Sequence, residues 1–185
     1  MSAPGALRRP DLAFMLGHPA RIVALGFGSG LAPKAPGTFG TLAAWASFVL
    51  LDPWLGRQGL IGEAGWAIAI ALGLVLGIAA CTRCARDLGQ ADPSSIVWDE
   101  VIAFWIVLWL LMPAGFVWQL AAFALFRFFD AAKPGPVAWA DACFKGERGA
   151  PIGWQQGFGI VFDDLVAALC TLIVLAIARW FTVAG

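Results

Sequence analysis

Apolar residues along the chain collect into five long runs separated by short polar breaks. They cover Thr41–Leu55, Gly65–Cys81, Ile96–Met112, Ala114–Phe129 and Leu165–Val183. Each holds 15–19 residues, slightly fewer than the ~20 that cross a hydrocarbon core of ~30 Å. Spans this short thin the bilayer locally or leave their ends at headgroup depth. Val101–Phe126 can also be drawn as one kinked helix. Pro113-Ala114-Gly115 reads better as a tight turn, because proline removes a backbone donor and glycine loosens the chain. The pattern predicts an all-α polytopic membrane bundle of about five short transmembrane helices.

Composition strengthens this reading. Of 185 residues, 61% are hydrophobic and 13% charged, against roughly 45–50% apolar and ~25% charged in an ordinary soluble domain. A mean hydropathy of +0.81 excludes a soluble globular or disordered chain. Zero net charge removes the bulk attraction that a nucleic-acid binder uses. The run Leu12–Leu16 is too short for the apolar core of a signal peptide and is closed by Gly17-His18-Pro19. The expected organisation is a single membrane domain over 1–185. It comprises a tail (1–20), a Gly/Pro-rich re-entrant loop (21–40) and the bundle (41–183) with a cytoplasmic loop (134–160).

The charges change the picture more than their number suggests. Threading the five runs up and down puts Arg8, Arg9, Arg21, Lys34, Arg83, Arg86, Arg127, Lys133, Lys145 and Arg148 on one side. Only Arg57 and Arg179 fall on the other. Ten against two marks the first side as cytoplasmic; the single-helix alternative loses this asymmetry. Asp87, Asp92, Asp99, Glu100, Asp130, Asp141, Glu147, Asp163 and Asp164 gather on that side too, with Asp52 and Glu63 opposite. Trp54, Trp66, Trp118 and Trp180 near one boundary and Trp98, Trp139 and Trp154 near the other read as interfacial belts.

Four stretches on the charged side could carry chemistry. The first, Gly26–Gly40, is rich in Gly and Pro and holds Ser29, Lys34, Gly37 and Thr38. Glycine lets backbone N–H groups turn toward an anion, and Lys34 adds charge. The others are Asp99-Glu100 at the start of the third run, Arg127-Phe-Phe-Asp130 with Lys133 at the end of the fourth, and Asp163-Asp164 at the start of the fifth. Singly, such carboxylates read as helix caps, and Arg127 with Asp130 as an ordinary i, i+3 pair. Together, five carboxylates meeting at one membrane face repel unless a cation joins them, and hard divalent cations take oxygen ligands. Carboxylates, a hard metal and basic groups suit phosphoryl transfer or phosphate-ester hydrolysis. His18, the one histidine, reads as a satisfied loop residue, and Cys81-Thr-Arg-Cys84 as small residues on a helix face.

At these residues the chain resembles the phosphatidylglycerophosphatase A family. The matching motifs are Gly26-Phe-Gly-Ser-Gly30 with Pro33 and Pro36-Gly-Thr-Phe-Gly40, and Asp87-Leu-Gly with Ser95-Ile-Val-Trp-Asp-Glu100. Phe126-Arg-Phe-Phe-Asp130 with Lys133-Pro134, and Gly159-Ile-Val-Phe-Asp-Asp164 with Val166-Ala, complete the set in the family's order, over about residues 21–178. The stretch Asp141–Gln156 departs from the pattern and receives no role. The resemblance implies a magnesium-dependent phosphatase of the bacterial inner membrane. It would convert phosphatidylglycerophosphate to phosphatidylglycerol and phosphate, with the active site on the cytoplasmic side. Its partners would be the phospholipid substrate and the bilayer, not nucleic acid.

The expectation for the site follows. Asp99, Glu100, Asp130, Asp163 and Asp164 are the candidate catalytic residues and ligands of one or two Mg²⁺, which neutralises phosphate and acidifies water. Asp163 or Asp164 orients the attacking water. Ser29, Lys34, Gly37, Thr38, Arg127 and Lys133 are the candidate substrate-binding residues. An aspartyl-phosphate route competes with direct water attack. A small transporter or ion pathway using the same acids is the alternative function. Against it, Gly65–Cys81 and Val101–Phe126 contain no Asp, Glu, Lys, Arg or His.

Overall fold

Helices make up all the regular structure among the residues that the computed structural model describes, which are 9–62, 64–144 and 151–184. In chain order they are α1 (Leu12–Leu16), α2 (Pro19–Ala24), a 3₁₀ segment (Gly26–Leu31), α3 (Pro36–Leu55), α4 (Ala64–Leu88), α5 (Trp98–Leu111), α6 (Phe116–Ala132), α7 (Pro136–Cys143) and α8 (Trp154–Ala184). Arg8, Glu63, Lys145, Glu147 and Arg148, which entered the charge reading, lie outside the described residues.

Local chemistry sets the starts. The Asp11 carboxylate accepts from Phe14 N at 2.7 Å to cap α1, and His18 Nδ1 accepts from Ala20 N at 3.1 Å to cap α2. His18 is therefore a satisfied cap. Pro19, Pro36 and Pro136 each open a helix, where a missing N–H costs nothing.

The chain alternates direction through α3, α4, α5, α6 and α8. α5 is wholly apolar from Val101 to Leu111 and sits in the centre, packed by α3, α4, α6 and α8. Ile102, Ala103, Phe104, Val107 and Leu108 are fully buried. Trp98 lies across α4, its indole N–H bonded to Gly73 O at 3.0 Å. A Cβ at Gly77 would collide with that ring, so glycine permits the close approach of the two helices.

The outer faces remain apolar: Leu72, Val75 and Leu76 of α4 and Ile177, Trp180 and Phe181 of α8 are exposed. Two helices, Ala64–Leu88 and Trp154–Thr182, are long and apolar enough to cross a membrane.

Several expectations need correction. The break at Pro113 is present, with α5 and α6 separate. The last helix, however, begins at Trp154 rather than near Leu165. Asp163-Asp164 are thus more than two turns inside α8 and cap nothing. Residues 134–160 are not simply a loop, since they hold α7 and the start of α8. Trp66 and Trp98 are core residues, not belt residues. Trp66 stacks on Phe48 with centroids 4.2 Å apart, and both tryptophans meet Trp105 edge-on. Cys81 and Cys84 are free and buried on the packed face of α4.

Candidate active site

Because helix direction alternates, five chain segments meet at one end of the bundle. They are the start of α3, the turn after α4, the start of α5, the end of α6 and the third turn of α8. Between them lies a cavity of about 280 Å³ whose lining includes Gly37, Asp92, Ser94, Asp99, Glu100, Arg127, Asp130, Lys133, Asp163 and Asp164.

α5 delivers its pair from the middle of the bundle. Asp99 and Glu100 occupy its first turn, yet the cap position is Val97, without a side-chain hydrogen bond. The carboxylates thus stand inside the first turn rather than at the cap position. Opposite them, α8 presents Asp163 and Asp164 from a helix interior, both buried. α6 ends with Asp130 in its last turn, a position the helix dipole disfavours for an anion. An acid held there needs a cation, and Arg127 supplies it.

The Arg127 guanidinium is in direct contact with the Asp130 carboxylate. It also lies 3.9 Å from Glu100 Oε1 and 3.4 Å from the buried Thr41 hydroxyl. Gly37 leaves room beside it, since a Cβ there would displace Glu100 Oε1 and crowd the guanidinium. Lys133 closes α6 in the left-handed conformation, φ 43° and ψ 53°, which costs a non-glycine residue roughly 1–2 kcal/mol. The turn sends Nζ to Asp141 Oδ1 of α7 and Asp163 Oδ2 of α8, each at 2.6 Å. Burial by itself lowers an ammonium pKa. The two carboxylates outweigh it and hold Lys133 well above the ordinary lysine range, so it stays charged.

All five candidate acids, Asp99, Glu100, Asp130, Asp163 and Asp164, line the cavity, with Arg127, Lys133 and Gly37. From the Gly/Pro-rich segment only Ala35 and Pro36 join Gly37 there; Ser29, Lys34 and Thr38 do not. Ser29 donates its hydroxyl to Gly26 O at 2.8 Å. The amides of Gly28, Gly30 and Ala32 are spent on Leu25 O and Ser29 O. Thr38 N donates to Ala35 O at 2.9 Å, and Lys34 is exposed on the turn before α3. This segment instead buttresses the residues leading into α5: Val97 N donates to Ala24 O at 3.0 Å, and Gly30 packs on Ser95 O.

Asp92, Ser94 and Asp141 were not singled out from the sequence. Asp92 and Ser94 line the cavity, and Asp141 binds Lys133 from the stretch left without a role. The Asp-Pro-Ser-Ser turn ahead of Asp99 is the only local signal for the first two; nothing local marks Asp141.

Asp99 Oδ1, Glu100 Oε2 and Asp164 Oδ2 are buried without a hydrogen-bond partner. Asp99, Glu100 and Asp164 can also bring one carboxylate oxygen each to within 4.8 Å of one another. Unpaired buried carboxylates cost several kcal/mol by order of magnitude, and a coordinated cation relieves that cost. An all-oxygen donor set suits a hard divalent ion. These residues therefore fit a magnesium site. Arg127 beside them adds a planar donor group suited to phosphate.

A model of the phosphatidylglycerophosphatase A family matches residues 22–179. The chain belongs to this family. The Haemophilus influenzae protein named phosphatidylglycerophosphatase A is 40% identical over 164 residues, covering 88% of this chain and 91% of its own. The Escherichia coli protein of the same name is 36% identical over 173 residues, covering 91% and 90%. No solved structure matches the chain. The family match spans every segment of the acid-lined cavity, from Gly37 to Asp164.

Proposed function

We propose that this protein hydrolyses phosphatidylglycerophosphate to phosphatidylglycerol and phosphate, at the cytoplasmic face of the bacterial inner membrane, with magnesium. The observation that carries the reading is the trio of unpartnered, mutually close carboxylate oxygens on Asp99, Glu100 and Asp164, with Arg127 alongside. The names of the family and of the two relatives support phosphatidylglycerophosphate as the substrate. The five helices α3, α4, α5, α6 and α8 would each cross the membrane, the shorter ones in a locally thinned bilayer.

Asp99, Glu100 and Asp164 would hold the ion, with Asp130 and Asp163 completing its surroundings. Bound magnesium supplies charge neutralisation at the phosphoryl group and makes water more acidic. Arg127 swings part of its hydrogen bonding from Asp130 to the phosphate and orients it. Lys133 holds Asp163 in place through their hydrogen bond, leaving one Asp163 oxygen to align a water in line with the scissile bond. The water oxygen forms the new P–O bond as its proton passes to a carboxylate. The P–O bond to the glycerol carbon's oxygen breaks, and that oxygen leaves as the alcohol after taking a proton. Acids gathered at one end, rather than strung through the bilayer depth, support a hydrolase over an ion pathway.

The test is phosphate release from phosphatidylglycerophosphate by the purified full chain, with Mg²⁺ or with EDTA. The expected result is release with Mg²⁺ that EDTA abolishes. Equal release in EDTA would overturn the metal assignment, and no release in either condition would overturn the hydrolase reading.

A further inference from the structure

The two helices that frame Arg127 and Gly37 also frame a second feature. Below the acid-lined cavity, α3 and α6 part to leave an apolar groove of about 710 Å³, lined by Leu42, Trp45, Val49, Leu50, Phe116 and Gln119 among others. Leu42, Val49, Leu50 and Phe116 are exposed along it. Its one polar side chain besides the Trp45 indole is bonded at both ends: Gln119 Oε1 accepts from Trp45 Nε1 at 2.7 Å, and Gln119 Nε2 donates to Ala114 O at 2.9 Å. The Trp45 ring stacks on Phe116 and Phe123, with centroids 5.7 and 5.8 Å away. The floor is therefore an aromatic surface whose polar side chains bond within the protein.

Position tells which apolar ligand it suits. Gly37 lines the acidic cavity, and at 1.5 Å per residue Leu42 lies about 7 Å and Leu50 about 20 Å further along α3. On α6 the nearest lining residue, Gln119, is eight positions or about 12 Å from Arg127, so the groove begins about 7–12 Å beneath the phosphate-binding residues. It runs for roughly the depth of one leaflet, half of a core of ~30 Å. The buried Thr41 that Arg127 contacts immediately precedes Leu42 in the chain, the first groove residue on α3. A phospholipid whose phosphate is held by Arg127 would place its chains at the depth of this groove.

We propose that the groove between α3 and α6 holds an acyl chain of the lipid whose headgroup occupies the acidic cavity, making it a binding site for the substrate's tail. The assignment rests on the hydrolase reading above.

Ala46 faces the groove, so Ala46→Phe and Val49→Trp fill it from the outside without touching the cavity. With a long-chain diacyl substrate in mixed micelles, both variants should raise KM about tenfold, the scale of a few buried methylenes lost, and leave kcat near wild type. The deacylated, water-soluble headgroup bisphosphate should be cleaved equally by wild type and variants. Unchanged KM on the long-chain substrate, or an equal loss on both substrates, would overturn the proposal. A wild-type protein that cleaves neither substrate removes the hydrolase reading, and this one with it.

A second measurement is independent of turnover. A photoreactive group on the substrate's acyl chain should label the 42–50 and 116–119 segments, and Ala46→Phe should abolish that labelling. Equal labelling by phosphatidylcholine carrying the same group would show a bulk-lipid surface. A detergent-solubilised dimer that Ala46→Phe converts to monomer would show a second copy in the groove. Either would overturn the assignment.

Discussion

At one end of the bundle six carboxylates share a cavity with two cations, whereas at the opposite end a pocket of about 460 Å³ contains Asp52 and Arg57 among aromatic residues. Both ends carry charged groups, most of them near helix termini. At the second, the carboxylate is placed for structure: Asp52 accepts from Trp66 Nε1 at 3.0 Å and ties the end of α3 to the start of α4. Nearby, Arg179 donates to Leu111 O and Pro113 O at 3.0 and 2.9 Å, satisfying carbonyls at the end of α5. At the first end, three carboxylate oxygens meet nothing. Charge at a helix end does not by itself mark a site. Charge that the fold gathers, buries and leaves unmatched does, because that arrangement is costly until a ligand arrives.

The largest break in this contrast comes from neutralising the unmatched acids. Asp164→Asn should lower phosphate release by about 10²–10³-fold or more, the scale of losing a group that organises transition-state charge. Its melting temperature without divalent ions should be equal or higher, since a repulsive neighbour is gone. Activity within threefold of wild type would place Asp164 outside the chemistry.

Arg127→Ala should follow, with a loss of about 10²-fold, and Arg127→Lys should recover only part of it, because a lysine lacks the planar fork. Full recovery by lysine would reduce Arg127 to a point charge.

Ligand-linked stability sharpens the comparison without any turnover. At a Mg²⁺ concentration 100 times its Kd, the wild type should gain about 2.7 kcal/mol, read as a shift of the thermal or denaturant transition. Asp164→Asn should show little of this gain and Asp52→Asn all of it. A gain of equal size in both variants would move the ion away from the acidic cavity.

The smallest effect belongs to the opposite end. Asp52→Asn keeps an oxygen that accepts from Trp66, so stability should fall by no more than ~1 kcal/mol and phosphate release should stay within twofold. A large loss of activity there would erase the distinction between the two ends.

Much of this architecture is legible in one dimension. Apolar runs located every long helix, and Pro113-Ala114-Gly115 separated α5 from α6. The five acids and two of the cations were found from their clustering at run ends. The start of α8 is not legible in the sequence, because Trp154-Gln-Gln-Gly-Phe-Gly159 lacks an apolar run. That segment is helical through packing: Gly157 fits against Thr82 and Ile78 of α4, and Phe158 meets Phe144 just after α7. The phosphate role expected for Ser29 and the Gly-rich amides was plausible from composition. Only their hydrogen bonds show that these groups serve the loop itself.

The sequence by itself determined that the chain makes apolar helices and that its acids gather at one end, since span length and charge order are properties of the chain's linear pattern. The tertiary structure alone decided which acids are free. Asp87 and Asp164 look alike in sequence, both on the charged side next to apolar runs. Asp87 is met by Arg21 of α2 at 2.8 Å and by Arg83 at 3.0 Å. Asp164 Oδ2 is buried without a partner beside Asp99 and Glu100, which come from another helix. Arg83 is a local i, i+4 partner that the chain order already offers Asp87, but Arg21 for Asp87, and Asp99 and Glu100 for Asp164, lie more than sixty residues away, and only packing brings those groups near.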